Sequence, residues 1–378
     1  SDTWTYITDV NTSMPFGGGF ATWVETGNNV TATFSGATKA TDLTLTNAST
    51  PALAFTDASH GYNLVANPFP CPIDWDQGGW TKTNIDGTIY VWKDGSNYLT
   101  RNSNGLGSLP NGIVPVGQGF FVRTMAASPS LTIPKLARVQ SSAAYSKPGG
   151  ETYEGPPYAV FQVGKEEQTD EVWLTFSDEF TDDYEEGWDA VKRFGDGNAP
   201  QLYAHNNNYD LSIAAISEIG NDGKVIQFNF EARVPGEHSI LLKEQKYLDE
   251  FDILLEDLNL NNIQDMNSAP EYSFNALLND NPDRFLIHFN PKILGIEDTE
   301  LSSDLIIYSW NKDVYIKAVG DKSLLNAKIQ IFDIYGRRLD FRKTDNSLMV
   351  KIPVNVSNSY LIVKVVRESS IVVKKIFV

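Results

Sequence analysis

Short runs of β-branched and aromatic residues, each stopped by Gly, Asn, Asp or Pro, set the terms on which this chain can fold. NVTATFSG (29–36), DLTLTN (42–47), TIYVWKD (88–94), GQGFFVRT (117–124) and SLTIP (130–134) are the first of them. A period of two serves a pleated strand with one buried face, and turn chemistry such as NIDG (84–87) and KDGSN (93–97) falls between the runs. Helical periodicity of any length is missing. The pattern resumes at YAVFQVG (158–164) and EVWLTFSD (171–178) and continues through YDLSIAAI (209–216), KVIQFNFEA (224–232), HSILLKE (238–244), FDILLED (251–257), EYSFNAL (271–277) and RFLIHFN (284–290). Such spacing predicts an all-β protein built of tandem β-sandwiches, immunoglobulin-like or jelly-roll-like.

Two interruptions divide the chain. QSSAAYSKPGGETYEGPP (140–157) is rich in small residues, Gly and Pro and reads as a linker. After GIEDTE (295–300) the charge changes sign: residues 301–378 hold 13 Lys/Arg against 7 Asp/Glu, or +6, and the rest of the chain carries −24. In that basic segment LIIYSW, DVYIKAV, AKIQIFDIYG, SLMVKIPV, YLIVKVV and IVVKKIFV predict six or seven strands of a small C-terminal β-sandwich. The expected domains are therefore 1–145, a linker at 146–157, 158–296 and 302–378. A length of 378 residues fits two or three such domains.

The net charge of −18 argues against nucleic-acid or anionic-membrane binding, since phosphate would be repelled. No run approaches the roughly 18 apolar residues of a spanning helix, which predicts a soluble fragment. A single cysteine, Cys71, leaves no internal disulfide and no cysteine metal site. The opening SDTWTYITDV has neither initiator methionine nor leader, as expected of a mature product or a piece of a longer chain.

Candidate chemistry is sparse. Cys71 lies among Pro68, Pro70 and Pro72 with no basic residue near to lower its pKa, so packing is the expected role. Pro68, Pro70 and Pro72 should end the strand Tyr62 to Ala66, with Ile73 and Trp75 plugging the corner. His60, His205, His238 and His288 share no metal spacing. Paired carboxylates (Asp74 with Asp76, Glu185 with Glu186) read as solvated surface rather than a hydrolytic pair. The acidic stretch DEFTDDYEEGWDAVKRFGDG, with one short helical turn expected around Trp188 to Phe194, is the better candidate. There Asp178, Asp182, Asp183 and Asp189, with Glu185, can offer hard oxygen ligands to calcium, but the spacing lacks the order of an EF-hand, so the expectation is an uncoordinated acidic loop and no cofactor, with calcium as the alternative. Trp75, Trp80 and Trp92 would allow a sugar-stacking platform, against the alternative of core and corner residues.

The tail also carries a resemblance. IFDIYGRR (331–338), YLIVKV (360–365) and the terminal VKKIFV (373–378) resemble, in order, spacing and position, the C-terminal sorting domain of cargo proteins of the type IX secretion system of Bacteroidota. That family often has Gly before the tyrosine of the penultimate strand, where Asn358 and Ser359 stand here. The resemblance implies export across the outer membrane and attachment at the cell surface. Its implied partners are the translocon, its outer-membrane carrier proteins and a sortase-like peptidase, and recognition falls to Asp333, Gly336, Arg337, Tyr360, Lys364, Lys374 and Lys375. GYNLVANPFPCPIDWD (61–76), GIVPVGQGFFVRT (112–124) and much of the next segment are similar to regions that precede such tails in large surface proteins. The expectation is a non-enzymatic C-terminal region of an adhesin-like surface protein, with a glycan or host surface as ligand and no nucleic acid. The alternative is a set of carbohydrate-binding or spacer modules of a secreted hydrolase whose catalytic domain lies upstream.

Overall fold

A computed structural model of the chain describes residues 7–9, 11–22, 35–57, 61–93, 97–140, 155–165, 167–195, 197–206, 208–292, 305–310, 312–318, 323–345, 347–356, 359–367 and 370–378. Most of the strand expected at 29–36, His60, the 146–154 part of the expected linker and Asn358 fall outside them. The described residues are all-β: apart from two single 3-10 turns, Pro110–Gly112 and Lys135–Ala137, every regular element is a strand. No helix among them is long and apolar enough to cross a membrane.

The chain divides into two compact units, one of Ser1–Ser217, Asn229–Gln245 and Ser273–Pro282, the other of Glu218–Phe228, Lys246–Tyr272 and Asp283–Val378. In the first, β1 (Leu43–Thr46), β9 (Ser130–Ile133) and β4 (Thr81–Thr83) form one antiparallel sheet. A second contains β2 (Tyr62–Ala66), β8 (Gly119–Thr124), β5 (Ile85–Trp92) and β6 (Tyr98–Arg101) in that order. Alternate side chains of both sheets, among them Leu45, Val65, Ile89, Phe120, Val122, Leu131 and Ile133, meet in one apolar core. β2 stops at Ala66, ahead of Pro68, as expected. The side chain of Asn67 then donates from Nδ2 to the carbonyls of Cys71, Val114 and Pro115, while its Oδ1 accepts from the backbone of Phe69. The chain turns there into the short pair β3 (Ile73–Asp74) and β7 (Ile113–Val114). Ile73 and Trp75 fill the corner, both buried, and Cys71 packs half-buried against the same core.

The rest of the first unit is an ordered run of strands, β13 (Gln201–His205), β14 (Asp210–Ser217), β11 (Gln168–Ser177), β10 (Tyr158–Lys165), β16 (Gly236–Lys246) and β19 (Glu271–Ala276). β11 and β14 run parallel, and β12 (Ala190–Val191) pairs beside β14. The helical turn expected at Trp188 to Phe194 is instead a tight turn closed by Trp188 and Asp189 amides on the Glu185 carbonyl, followed by β12. Backbone groups that a helix would use internally are committed to β14.

The segment expected to be a linker does not separate two independent bodies. The face of β2-β8-β5-β6 turned away from its own core meets the 184–201 segment. Tyr90 donates to the carbonyl of Val191, Asn102 to that of Trp188 and Asn104 to that of Gly187. A Cβ on Gly87 would lie 2.8 Å from the Cα of Gly187, so the two backbones touch where neither residue has a side chain. Leu106, Tyr158, Val160, Ala190 and Ile213 share one buried cluster.

In the second unit, β15 (Lys224–Glu231) pairs through Lys224–Phe228 with β20 (Phe285–Pro291), which pairs with β17 (Phe251–Asp257), which pairs with β18 (Asn262–Asp265). The C-terminal sandwich follows, with one sheet of β21 (Leu305–Trp310), β22 (Asp313–Ala318) and β25 (Met349–Pro353). Its other sheet runs β24 (Arg338–Lys343), β23 (Lys328–Asp333), β26 (Tyr360–Val366), β27 (Ile371–Phe377). Leu305, Ile307, Val314, Ile316, Ile329, Ile331, Leu361, Val363 and Val365 form the core between them. The opposite face of β21 and β22 is also covered: Ile306, Tyr308, Trp310 and Tyr315 pack with Val225, Leu254, Ile263 and Leu286. A strand buried on both faces has no place for polar residues, and LIIYSW offers almost none. The compact units thus cut across the expected segments 1–145, 158–296 and 302–378. The C-terminal sandwich keeps its own core and shares a second one.

Candidate functional site

All but one of the residues expected to carry recognition fall into two groups, both in the C-terminal sandwich. The first is the tip of the β23–β24 hairpin. Asp333 ends β23, and its carboxylate accepts from the backbone N–H of Tyr335 and of Arg337 and from Arg337 Nε at 3.0, 2.9 and 3.0 Å. The Asp333 amide donates to the Arg337 carbonyl and the Gly336 amide to the Asp333 carbonyl, closing the loop. Gly336 has φ +80°, a conformation in which a β-carbon would strain against the following carbonyl. With its amides tied down from inside, the tip turns Ile334 and Tyr335 outward, 58% and 90% exposed.

The second group lies on the outward face of β24-β23-β26-β27. Register places Tyr360 opposite Phe377, Ile362 opposite Lys375, Lys364 opposite Val373 and Val366 opposite Ile371. The ammonium of Lys375 sits 3.6 Å from the centroid of the Tyr360 ring, and the Tyr360 and Phe377 rings meet edge to face. Toward β24 the same face continues through Gln330, opposite both Lys364 and Phe341, and through Lys328, opposite Lys343. Lys374 does not belong to it. Opposite Val363 it turns the other way and is half-buried, where burial lowers its pKa and Asp222 pulls it back up. The structure therefore joins Tyr360, Lys364 and Lys375, sets Asp333, Gly336 and Arg337 apart at the tip, and separates Lys374 from both.

The acidic loop is knitted into the fold. Asp182 accepts from the backbone and hydroxyl of Ser217, and Glu185 from the backbone and hydroxyl of Thr181. Asp189 is fully buried and accepts from the amides of Ala215 and Glu185. Asp178 and Asp183 are exposed. Among the described residues no group of three or more His, Cys, Asp or Glu side chains is placed to hold a metal ion. The Asp178, Asp182, Asp183 and Asp189 side chains do not converge.

Buried charge collects at places with no local motif, Lys192 with Asp170 and Arg284 with Asp257 among them, and two larger clusters stand out. In the first unit Arg123 and Asp86, both almost wholly buried, pair at 2.9 Å, and the Tyr184 hydroxyl bridges them. Burial raises the Asp86 carboxyl against the pull of Arg123. Beside them the Arg193 guanidinium lies 4.0–4.8 Å from the ring centroids of Phe121, Tyr62 and Tyr98. In the second unit Glu256 of β17 accepts from Lys317 of β22 at 2.5 Å, from the Tyr308 hydroxyl of β21 at 2.9 Å and from His288 Nε2 of β20 at 2.8 Å. Burial pushes the Glu256 carboxyl up, but His288 and Lys317 outweigh it and hold it below its ordinary value. Each cluster joins residues distant in sequence, so no local motif announces it.

The remaining candidates have structural places. Trp75 is buried and donates to the Gly87 carbonyl, Trp80 packs against it at a tilt, and Trp92 alone of the three is appreciably exposed, beside Tyr98. His205 pairs with Asp210 at 2.8 Å, and His238 meets the Gly236 carbonyl.

A family model described as Domain of unknown function (DUF8693) matches residues 2–289, taking both upstream segments as one and ending before the C-terminal sandwich. The minor fimbrium subunit Mfa5 of Porphyromonas gingivalis is 22% identical over 325 residues, covering 78% of this chain and 25% of that protein. The chain spans about a quarter of the length of this curated relative. A solved structure called biofilm associated protein, BSP domain, aligns over 84% of this chain and 59% of its own at 10% identity, with a TM-score of 0.22, too low to transfer a fold.

Proposed function

This chain belongs to the DUF8693 family, and we propose that it is the C-terminal part of a non-enzymatic bacterial surface protein, its body structural or adhesive and its last sandwich an export signal. Similarity to a fimbrium subunit supports a place at the cell surface. The export reading, with the type IX translocon, its carrier proteins and a sortase-like peptidase as partners, rests on one observation: the hairpin tip at Asp333–Arg337. Asp333 fixes the tip from within, so the loop spends no exposed side chain on holding itself together and offers Ile334 and Tyr335 to a partner. An aromatic held out on a rigid tip can bury its area on binding with little loss of conformational entropy.

Substitutions at the tip test this better than deleting residues 302–378, which would also uncover the core shared with β15, β17 and β20. Ile334→Ser with Tyr335→Ser changes only exposed positions, so folding stability should move by no more than about 0.5 kcal/mol per site. In the native host, surface display of the full-length protein is expected to fall at least about tenfold, with protein retained in the periplasm. Unchanged display of a tip variant would refute the assignment.

A further inference from the structure

We propose that the outward face of β24-β23-β26-β27 is a docking surface for an anionic lipid bilayer. The face carries Lys328, Arg338, Lys343, Lys364 and Lys375 and, at its outward register positions, no Asp or Glu. That is a marked segregation in a chain with 48 acidic residues. Between the cations stand apolar side chains left in water: Phe341, Tyr360, Ile371, Val373 and Phe377 are 40–58% exposed. Exposed apolar groups gathered on one sheet face mark an interaction site.

The arrangement favours a membrane over a protein partner. Protein interfaces keep an apolar centre depleted of lysine and put charge at the rim. Here Lys364 and Lys375 sit within the patch, directly opposite Val373 and Ile362, so a protein partner would have to strip water from both. At a bilayer surface long lysine stems reach past neighbouring apolar groups to phosphate, while Tyr and Phe rest at headgroup level. The net charge of −18 does not forbid this. Repulsion from acidic residues elsewhere decays over about 8 Å at physiological salt, and each lysine at an anionic surface counts about fivefold in affinity.

The inference does not depend on the export reading, because the face and the hairpin tip use different residues and the assays are separate. Purified full-length protein is mixed with phosphatidylcholine vesicles, with or without one-third phosphatidylglycerol, and bound protein is measured by flotation. Binding is expected only to the anionic vesicles and to weaken with added salt. Lys364→Glu with Lys375→Glu, or Lys328→Glu with Lys343→Glu at more exposed sites should the first pair misfold, is expected to lower affinity at least about tenfold. Val373→Ser with Phe377→Ser is expected to weaken binding at unchanged charge. The lipid assignment is overturned by no binding to anionic vesicles, by equal binding to neutral ones, or by charge-reversed variants that bind normally. Tighter binding to soluble polyglutamate than to the anionic vesicles, unaffected by Val373→Ser with Phe377→Ser, would point instead to an acidic protein partner and equally overturn it.

Discussion

Asp189 accepts two backbone hydrogen bonds in a site closed to solvent, and burial, working against those bonds, pushes its carboxyl up from the ordinary 3.8 to about 7. The unfolded chain gives up that proton near 3.8, so between about pH 4 and pH 7 the folded protein holds more protons than the unfolded one. Stability should therefore fall as pH rises through that window, by up to ~4 kcal/mol from this group alone. Asp189→Asn has no proton to lose and is expected to flatten the slope, read from denaturant unfolding at several pH values. Asp86 and Asp170, also raised by burial, keep some of it. A slope unchanged by the substitution would remove Asp189 from the account. The sequence shows that residues 178–189 are acidic and so rich in oxygen ligands. It does not show which carboxylate turns inward, because the donors that receive Asp189 and Asp182 come from Ala215 and Ser217 on another strand.

At the scale of the element, the turn after β23 is legible because its chemistry is local. Asp333 and Gly336 do in the structure what their types and spacing imply. Nothing lies within 4 Å of a Cβ added at Gly336, so Gly336→Ala should cost backbone strain alone, about 1 kcal/mol. Asp333→Ala removes three accepted hydrogen bonds and should destabilise the hairpin more than Gly336→Ala does. Urea unfolding compares the two directly, and a neutral Gly336→Ala would show that the tip relaxes to another turn. Strands with a regular apolar face, such as β1, β8 and β26, were equally legible. The strand β24, reading RLDFRK, was not, since its place is set by the hairpin that returns it to β23 and hardly by its own side chains. β4 (TKT) and β18 (NIQD) were missed for the same reason.

At the scale of the molecule, composition favours a self-contained sandwich for each run of strands. The structure joins them through surfaces whose partners lie far apart in the chain: 184–201 on the back of β5 and β8, and β21 and β22 on β17 and β20. One hint was present, since LIIYSW lacks the polar alternation of a strand with one wet face. Lys317→Ala leaves Glu256 buried without its cation and is expected to cost about 3 kcal/mol or more in thermal or denaturant unfolding. A loss under about 1 kcal/mol would mean that water reaches the carboxylate. The same cluster bears on what a cut would accomplish. Hydrolysis anywhere between 293 and 304 breaks the chain, yet leaves Lys317 on Glu256, Tyr308 on Glu256 and His288, and the Leu286 cluster as they were. The severed end should stay bound as a tight ligand of the body, co-eluting in native buffer and separating only in denaturant. Cleavage and release are then distinct events, and the second requires work that the first does not supply.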